Sequence, residues 1–401
     1  MRLLAALAWA GVLLAQRKPV DDAWDLLIKG QRPDAVRLLR EIIGKNPGDA
    51  DARLLLGSVL QEDGDRAESI AQLTEAVRLR PRSVEAQYAL GEAFNAFGAH
   101  KAARGPLTRA VALDPNFAPA RVDLGLVLVD SGEFDAAAVH LDRALEILGR
   151  KPDAAYPHYL RAKVCSARNE VAKAAAHLTE AVSLRPDFAE AWSDLGDARN
   201  TLGDDSGALA AFQLAVSLAP DDAVALTRLG AKYLEQGKAH LATVHLQEAA
   251  RLDPHNQSTL YSLQRALRED GQEAQAEAVK RRLTDLLRER DRADQTLLAA
   301  IQLNNQGAEM ETAGNLAGAL EKYRAARGLL PDHMGIRVNF AIALLRLGRW
   351  KEGLAELREA VRREPDNVLW RAALEDAIAQ APVEFGGLGR PAKTWNGATK
   401  Y

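Results

Sequence analysis

The chain has 401 residues, 47% hydrophobic and 27% charged, with aromatics at only 5%. It has the make-up of a soluble folded protein, long for one core, and its wealth of alanine and leucine favours closely packed helices over sandwich or barrel cores. Its 52 basic and 55 acidic residues are spread evenly for a net charge of -3, which argues against the basic footprint of a nucleic-acid binder.

The first residues, MRLLAALAWAGVLLAQ, carry one positive charge, an apolar run from Leu3 to Ala15, and then the polar Gln16, Arg17 and Lys18. No polar face interrupts the run, as an amphipathic helix would require, and it is short for a bilayer span. The layout is that of a secretory signal peptide over residues 1–15, cut after Ala15. It predicts export, periplasmic or secreted, with no stable membrane span. Cys165 is the only cysteine, so no internal disulfide forms and stability must come from packing.

From Lys18 onward the chain is periodic. Pro47, Pro81 and Pro115 stand 34 residues apart, as do Pro152, Pro186, Pro220 and Pro254, and again Pro331 and Pro365. Small residues keep the same step through Ala23, Gly57, Gly91, Gly125, Ala162, Gly196 and Gly230 and resume at Gly307 and Ala341, with Gln264 out of character between them. Three extra residues precede Pro152, and nine lie between Pro254 and Pro331. A period of this length predicts an all-α solenoid. Within the unit AEAWSDLGDARNTLGDDSGALAAFQLAVSLAPDD, a first helix is expected from Ala189 to Leu202, closed by Gly203 in a left-handed cap. A second is expected from Ser206 to Ala219, ended by Pro220. Asp187 with Glu190 reads as a capping box. Gly196, Ala208 and Ala215 are expected to let the partner helix's backbone come close, with Leu195 and Phe212 filling the space beside them.

Trp192, Leu195, Gly196, Ala208, Phe212 and Pro220, at their spacing, resemble the tetratricopeptide repeat (TPR), and the pattern recurs ten times between about Lys18 and Arg371. Arg199 departs from the family's usual aromatic, and Cys165 fills the same slot one repeat earlier. The resemblance implies a right-handed α-solenoid, a superhelix of helix–turn–helix repeats whose first helices line a concave groove for protein or peptide segments. It calls for no cofactor and no catalytic residue. One TPR block is expected over residues 18–290, with the second helix of its eighth repeat prolonged through the nine-residue insertion. A second block over residues 291–380 holds two repeats and a capping helix from Val368, covering the last repeat with Leu369, Ala372, Ala373 and Ile378. A flexible Gly- and Pro-containing tail follows over 381–401, and its Phe385, Trp395 and Tyr401 offer a means of self-association.

Chemistry-bearing patterns are few. His140, His177 and His245 share one slot of the second helix in separate repeats, so their recurrence follows from the repeat, and none has a second ligand at helical spacing. Cys165 sits at a core slot. Glu190, Asp194 and Asp197 stand at i, i+4 and i+7 on one face of a first helix. Equivalent slots in adjacent repeats lie side by side, which pairs Lys163 with Asp197 and Arg228 with Asp194 as surface ion pairs. The remaining groove candidates by slot are Tyr88, Glu92 and Tyr159, together with Asn305 and Asn339, whose side-by-side amides suit an extended backbone. The Lys and Asn pairing with which some family members clamp a terminal carboxylate is missing from Leu54 and Ser58, Tyr88 and Glu92, and Val122 and Leu126. The leading reading is a non-catalytic scaffold for protein or peptide segments. The alternative is an exported glycan-binding or glycan-processing helical-hairpin protein using the Glu190, Asp194 and Asp197 face.

Overall fold

The computed structural model describes residues 18–364 and 367–383. The signal expected over residues 1–15, and Phe385, Trp395 and Tyr401 of the tail, lie outside the described residues. Twenty α-helices follow one another among the described residues, with no strand.

The chain divides into two compact units, up to Ala276 and from Glu277. In the first, α1 (Pro19–Ile28) and α2 (Arg32–Lys45) form a hairpin, as do α3 (Ala50–Glu62) and α4 (Arg66–Leu79), α5 (Val84–Ala96) and α6 (His100–Leu113), and α7 (Ala118–Asp130) and α8 (Phe134–Leu148). The series continues with α9 (Ala155–Ala167) and α10 (Val171–Leu184), α11 (Ala189–Thr201) and α12 (Asp205–Leu218), and α13 (Ala223–Glu235) and α14 (Ala239–Leu252); α15 (Gln257–Glu269) packs on α14. The three extra residues before Pro152 are absorbed at the end of α8 and in a 3-10 turn, Pro152–Ala154. Next comes α16 (Glu273–Thr312), 40 residues long. The second unit continues with α17 (Leu316–Leu329), α18 (Met334–Arg346), α19 (Trp350–Arg363) and α20 (Val368–Gln380), each packed on the one before from α18 onward.

The periodic small residues are sockets. A β-carbon built on Gly57 would lie 2.6 Å from Leu73 Cγ, and one on Gly307 would lie 2.7 Å from Tyr323 Cε1. Gly91, Gly125 and Gly230 receive Leu107, Leu141 and Leu246 in the same way. At Gly196 the occupant is Phe212, whose Cδ1 would stand 2.5 Å from such a carbon. The expectation of backbone approach at Gly196 is thus corrected: what the missing side chain admits there is an aromatic ring from the second helix, sixteen residues on. Where the socket is alanine (Ala23, Ala162, Ala341), the residue sixteen on is Leu39, Leu178 or Leu357, buried in the same cluster. Burying each such plug stabilises by roughly 1.5–3 kcal/mol. In the eighth repeat Gln264 takes the socket position, and the residue sixteen on is the exposed Lys280.

The helix ends obey a second period. Gly203, at φ +81°, closes α11; its N–H donates to Asn200 O, and the Asp204 N–H reaches Arg199 O at 2.9 Å, a paired left-handed cap. Asn169 takes the equivalent place after α9, at φ +59°, where a β-branched or alanine residue is strained. Asn169→Ala is expected to lower stability by about 1 kcal/mol, seen as faster hydrogen exchange in α9 and α10 than in α3 and α4.

The Asp187–Glu190 capping box is not formed. Phe188 is the N-cap of α11 and makes no side-chain cap bond. The preceding turn is fastened instead by the Trp192 indole N–H, which donates to Pro186 O at 2.9 Å. Arg53, Gln87, Arg121 and Arg337 do the same to Pro47, Pro81, Pro115 and Pro331, six residues back each time. This satisfies a carbonyl that the turn leaves without a helical partner.

At the C-terminal end, α20 turns inward only part of the side expected: Ala373 and Ile378 face the core, but Leu369 and Ala372 do not. Trp370, Ala373 and Ala377 are buried, with Ile378 packed beside them, while Leu369 is 53% exposed. The large indole wins the inward position over leucine, rotating the helix by about one residue.

The nine-residue insertion does more than prolong a second helix. Elsewhere four residues, Arg80 to Ser83, separate α4 from α5. In α16 the corresponding stretch is helical throughout, so the second helix of the eighth repeat and the first helix of the ninth are one element. No proline or glycine interrupts it before Gly307.

Candidate functional site

Consecutive first helices α9, α11 and α13 line a cavity of about 460 Å³ in the first unit. Its polar residues are Lys163, Ser166 and Asn169 from α9 and its cap, Asp194, Asp197 and Thr201 from α11, and Arg228 from α13. Four of these are sequence candidates. Ser166, Thr201 and Asn169 were missed, although Asn169 was detectable as the one non-glycine, 34 residues before Gly203, in the series of left-handed caps.

Arg228 organises the cavity. Its Nη1 lies 3.1 Å from Asp194 Oδ1 and donates to Ser193 Oγ at 2.6 Å, while its Nη2 lies 2.7 Å from Asp197 Oδ2. The expected pairing of Arg228 with Asp194 is present. That of Lys163 with Asp197 is not: a planar guanidinium fork spans two carboxylates one helical turn apart, and Arg228 takes both. Lys163 Nζ instead stands 5.1 Å from the centroid of the Tyr159 ring, a cation–π distance. Tyr159 packs on Phe188 with ring centroids 4.9 Å apart. Burial, then the charges of Asp194 and Glu190, hold its phenol far above the usual value. Glu190 itself is exposed and does not line the cavity.

Lost hydration pushes the Asp197 carboxyl up to about 6, with Arg228 pulling it down less strongly and Asp194 adding to the rise. A carboxyl raised in the folded state favours folding fully below its unfolded value and loses that contribution as pH rises through the folded one. Asp197→Asn is therefore expected to raise the melting temperature at pH 7.5 and to leave it nearly unchanged at pH 4. Carboxyl carbon shifts should show Asp197 titrating near 6, and higher still in Arg228→Ala.

The other candidates lie elsewhere. Tyr88 on α5 is buried, edge-on to Phe117 at 5.2 Å, and the half-buried Glu92 follows one turn later. In the second unit Asn305 is exposed, while Asn339 Nδ2 donates to Asn304 Oδ1 at 3.0 Å. The adjacent-repeat amide pair thus runs through Asn304, one position from the expected register.

Sequence reasoning also missed Lys232, only 4% exposed, whose ammonium meets Asp205 at 2.5 Å, Glu235 at 3.0 Å and Asn200. Burial disfavours its charge, but those hydrogen bonds outweigh it and keep Lys232 above its ordinary value.

Cys165 is buried, and burial raises its thiol, the opposite of an activated nucleophile. His177 Nδ1 lies 3.0 Å from His158 Nδ1, His140 faces Arg121, and His245 stacks on Tyr233; burial lowers all three repeat-slot histidines. Among the described residues no group of three or more His, Cys, Asp or Glu could hold a metal ion, and no helix is long and apolar enough to cross a membrane.

One tetratricopeptide-repeat family model matches residues 20–63, 54–118, 122–182 and 159–223, and a second matches residues 312–377. The chain belongs to the tetratricopeptide-repeat family, and its stacked hairpins are a scaffold for protein interaction. No curated protein sequence matches it. Among solved structures it is similar to that of Pseudomonas aeruginosa pilF, at 18% identity and TM-score 0.48 over 54% of this chain and 96% of that one. A tetratricopeptide repeat protein from Parabacteroides merdae matches at 15% identity and 0.49 over 62% and 97%. MamA from Desulfovibrio magneticus matches at 20% and 0.39 over 43% and 96%.

Proposed function

We propose that the first unit binds an extended protein segment across α9, α11 and α13. The observation that carries this reading is the cavity of about 460 Å³, where side chains of both charges and three hydrogen-bonding residues converge from successive repeats. A recess of that size admits one or two side chains with their backbone. Its walls are held by packed helices before a segment arrives, which lowers the ordering cost of association. Lys163 makes no ion pair among the described residues and is the cation left for an acidic side chain of the segment. Affinity per segment is on the order of micromolar.

The test is a displayed library of extended peptides selected on the purified protein, followed by titration of the enriched sequences. The expected result is a shared acidic position whose contribution disappears in Lys163→Glu, with overall binding weakened in Arg228→Ala. Enrichment of no common sequence, or binding indifferent to both substitutions, overturns the reading. Catalysis on glycans draws no support from this site, since both of its carboxylates, Asp194 and Asp197, are held by Arg228 and Glu190 lies outside it. We also propose export, on the apolar run from Leu3 to Ala15 alone; a mature chain beginning at Gln16 is the result that tests it.

A further inference from the structure

We infer that α16 pairs with α16 of a second copy of this chain, antiparallel, about a point level with residue 292. Residues 287–295 are exposed without interruption, so the helix there has no covered face. Leu287, Leu297, Leu298 and Ile301 are nevertheless 41%, 41%, 57% and 41% exposed. A helical stretch with so little tertiary support is marginal in water, and apolar residues gathered on it call for a partner.

The sequence of this stretch says which partner. Leu283, Leu287, Arg290, Asp294, Leu297 and Ile301 follow one another at steps of four and three, the seam of a two-stranded coil. Reversing the segment about residue 292 carries Leu283 onto Ile301, Leu287 onto Leu297, and Arg290 onto Asp294. Every seam position therefore meets its complement in an antiparallel second copy: apolar on apolar in the outer layers, cation on anion in the two central ones. Such a self-complementary patch is what a two-fold interface requires, each contact occurring twice. An unrelated partner helix would place no such constraint on the order of the residues. Arg290 and Asp294 already meet within one helix at 3.8 Å, both about two-thirds exposed, so exchanging them between copies forfeits little. The seam rises over 18 residues, about 27 Å, short enough for the dimer to be weak, on the order of micromolar.

Sedimentation velocity of the full chain between about 1 and 100 µM tests this. A monomer–dimer equilibrium is expected. Leu287→Glu with Leu297→Glu is expected to leave a monomer of unchanged helicity, because both side chains face water in the single copy. Asp294→Arg sets like charges opposite each other and is expected to weaken the dimer at least about tenfold; adding Arg290→Asp restores it. A monomer at all concentrations overturns the inference. So does a dimer that survives the two leucine replacements, a charge exchange that fails to restore, or a dimer lost on deleting residues 384–401, which would assign self-association to the tail.

Discussion

Gly196→Ala is expected to lower the stability of the sixth repeat by about 2 kcal/mol, although alanine is the better helix former by about 1 kcal/mol. The added methyl would stand 2.5 Å from Cδ1 of Phe212, a ring only 3% exposed that has nowhere to swing. Phe212→Leu alone is expected to cost about 1–2 kcal/mol, because a smaller plug leaves a gap. The double variant is the informative one. Alanine with leucine sixteen residues on is already used at Ala162 and Leu178, so Gly196→Ala with Phe212→Leu should come back close to the starting stability. The two changes then couple by about 2 kcal/mol. Hydrogen exchange of the α11 and α12 amides reads the effect locally, which suits a stacked array whose repeats can open separately. Additive costs would show that the ring adjusts elsewhere and that the socket is not what fixes its size.

Glu356→Ala is expected to cost about 3 kcal/mol in the second unit. Glu356 on α19 is 17% exposed, accepts from Arg337 Nη1 at 2.6 Å and forms an ion pair with Arg327 Nη2 at 2.9 Å. Arg337 is the more deeply placed of the two, with its side chain 9% exposed, and its other contact is the Pro331 carbonyl at 2.8 Å. Removing the carboxylate leaves one guanidinium charge buried without its counter-ion and a second half-covered. Glu356→Gln keeps the volume and one acceptor and should recover part of the loss. Faster exchange across α17 to α19, with α3 to α8 unchanged, is the expected signature. A cost below about 0.5 kcal/mol would mean that the cluster rehydrates and behaves as a surface pair.

The hairpins were legible because they rest on short-range rules. Glycine after a helix, proline after its partner, and a small residue every 34 positions are each local facts, and Gly203 and the ends of α11 and α12 fell within about a residue of expectation. The site was legible only as slots. Lys163, Asp194, Asp197 and Arg228 do converge, but which cation holds which carboxylate depends on the offset between stacked helices, and spacing along one chain does not encode that offset. Arg228 reaches both carboxylates for this reason, leaving Lys163 to an aromatic ring. The same offset moves the amide pair from Asn305 to Asn304. Trp370 shows a different blind spot: with apolar residues on two sides of α20, only the volume of the space to be filled decides which side turns inward. The turn fastenings were invisible for a chemical reason, since Arg, Gln and Trp share no hydropathy, only an N–H on a long arm.

The sockets set terms for how an array like this one can be rearranged at the level of its gene. A crossover between repeats at the inter-repeat turn transfers a small residue together with the side chain that fills it, and the daughter chain inherits a matched hairpin. A crossover inside the hairpin of the sixth repeat separates Gly196 from Phe212 and delivers a bulky ring to whichever first helix is recombined onto it. Ancestral shuffling should therefore have left its seams on the proline side of each unit, and engineered chimeras of this protein will tolerate junctions there that they refuse at Gly203.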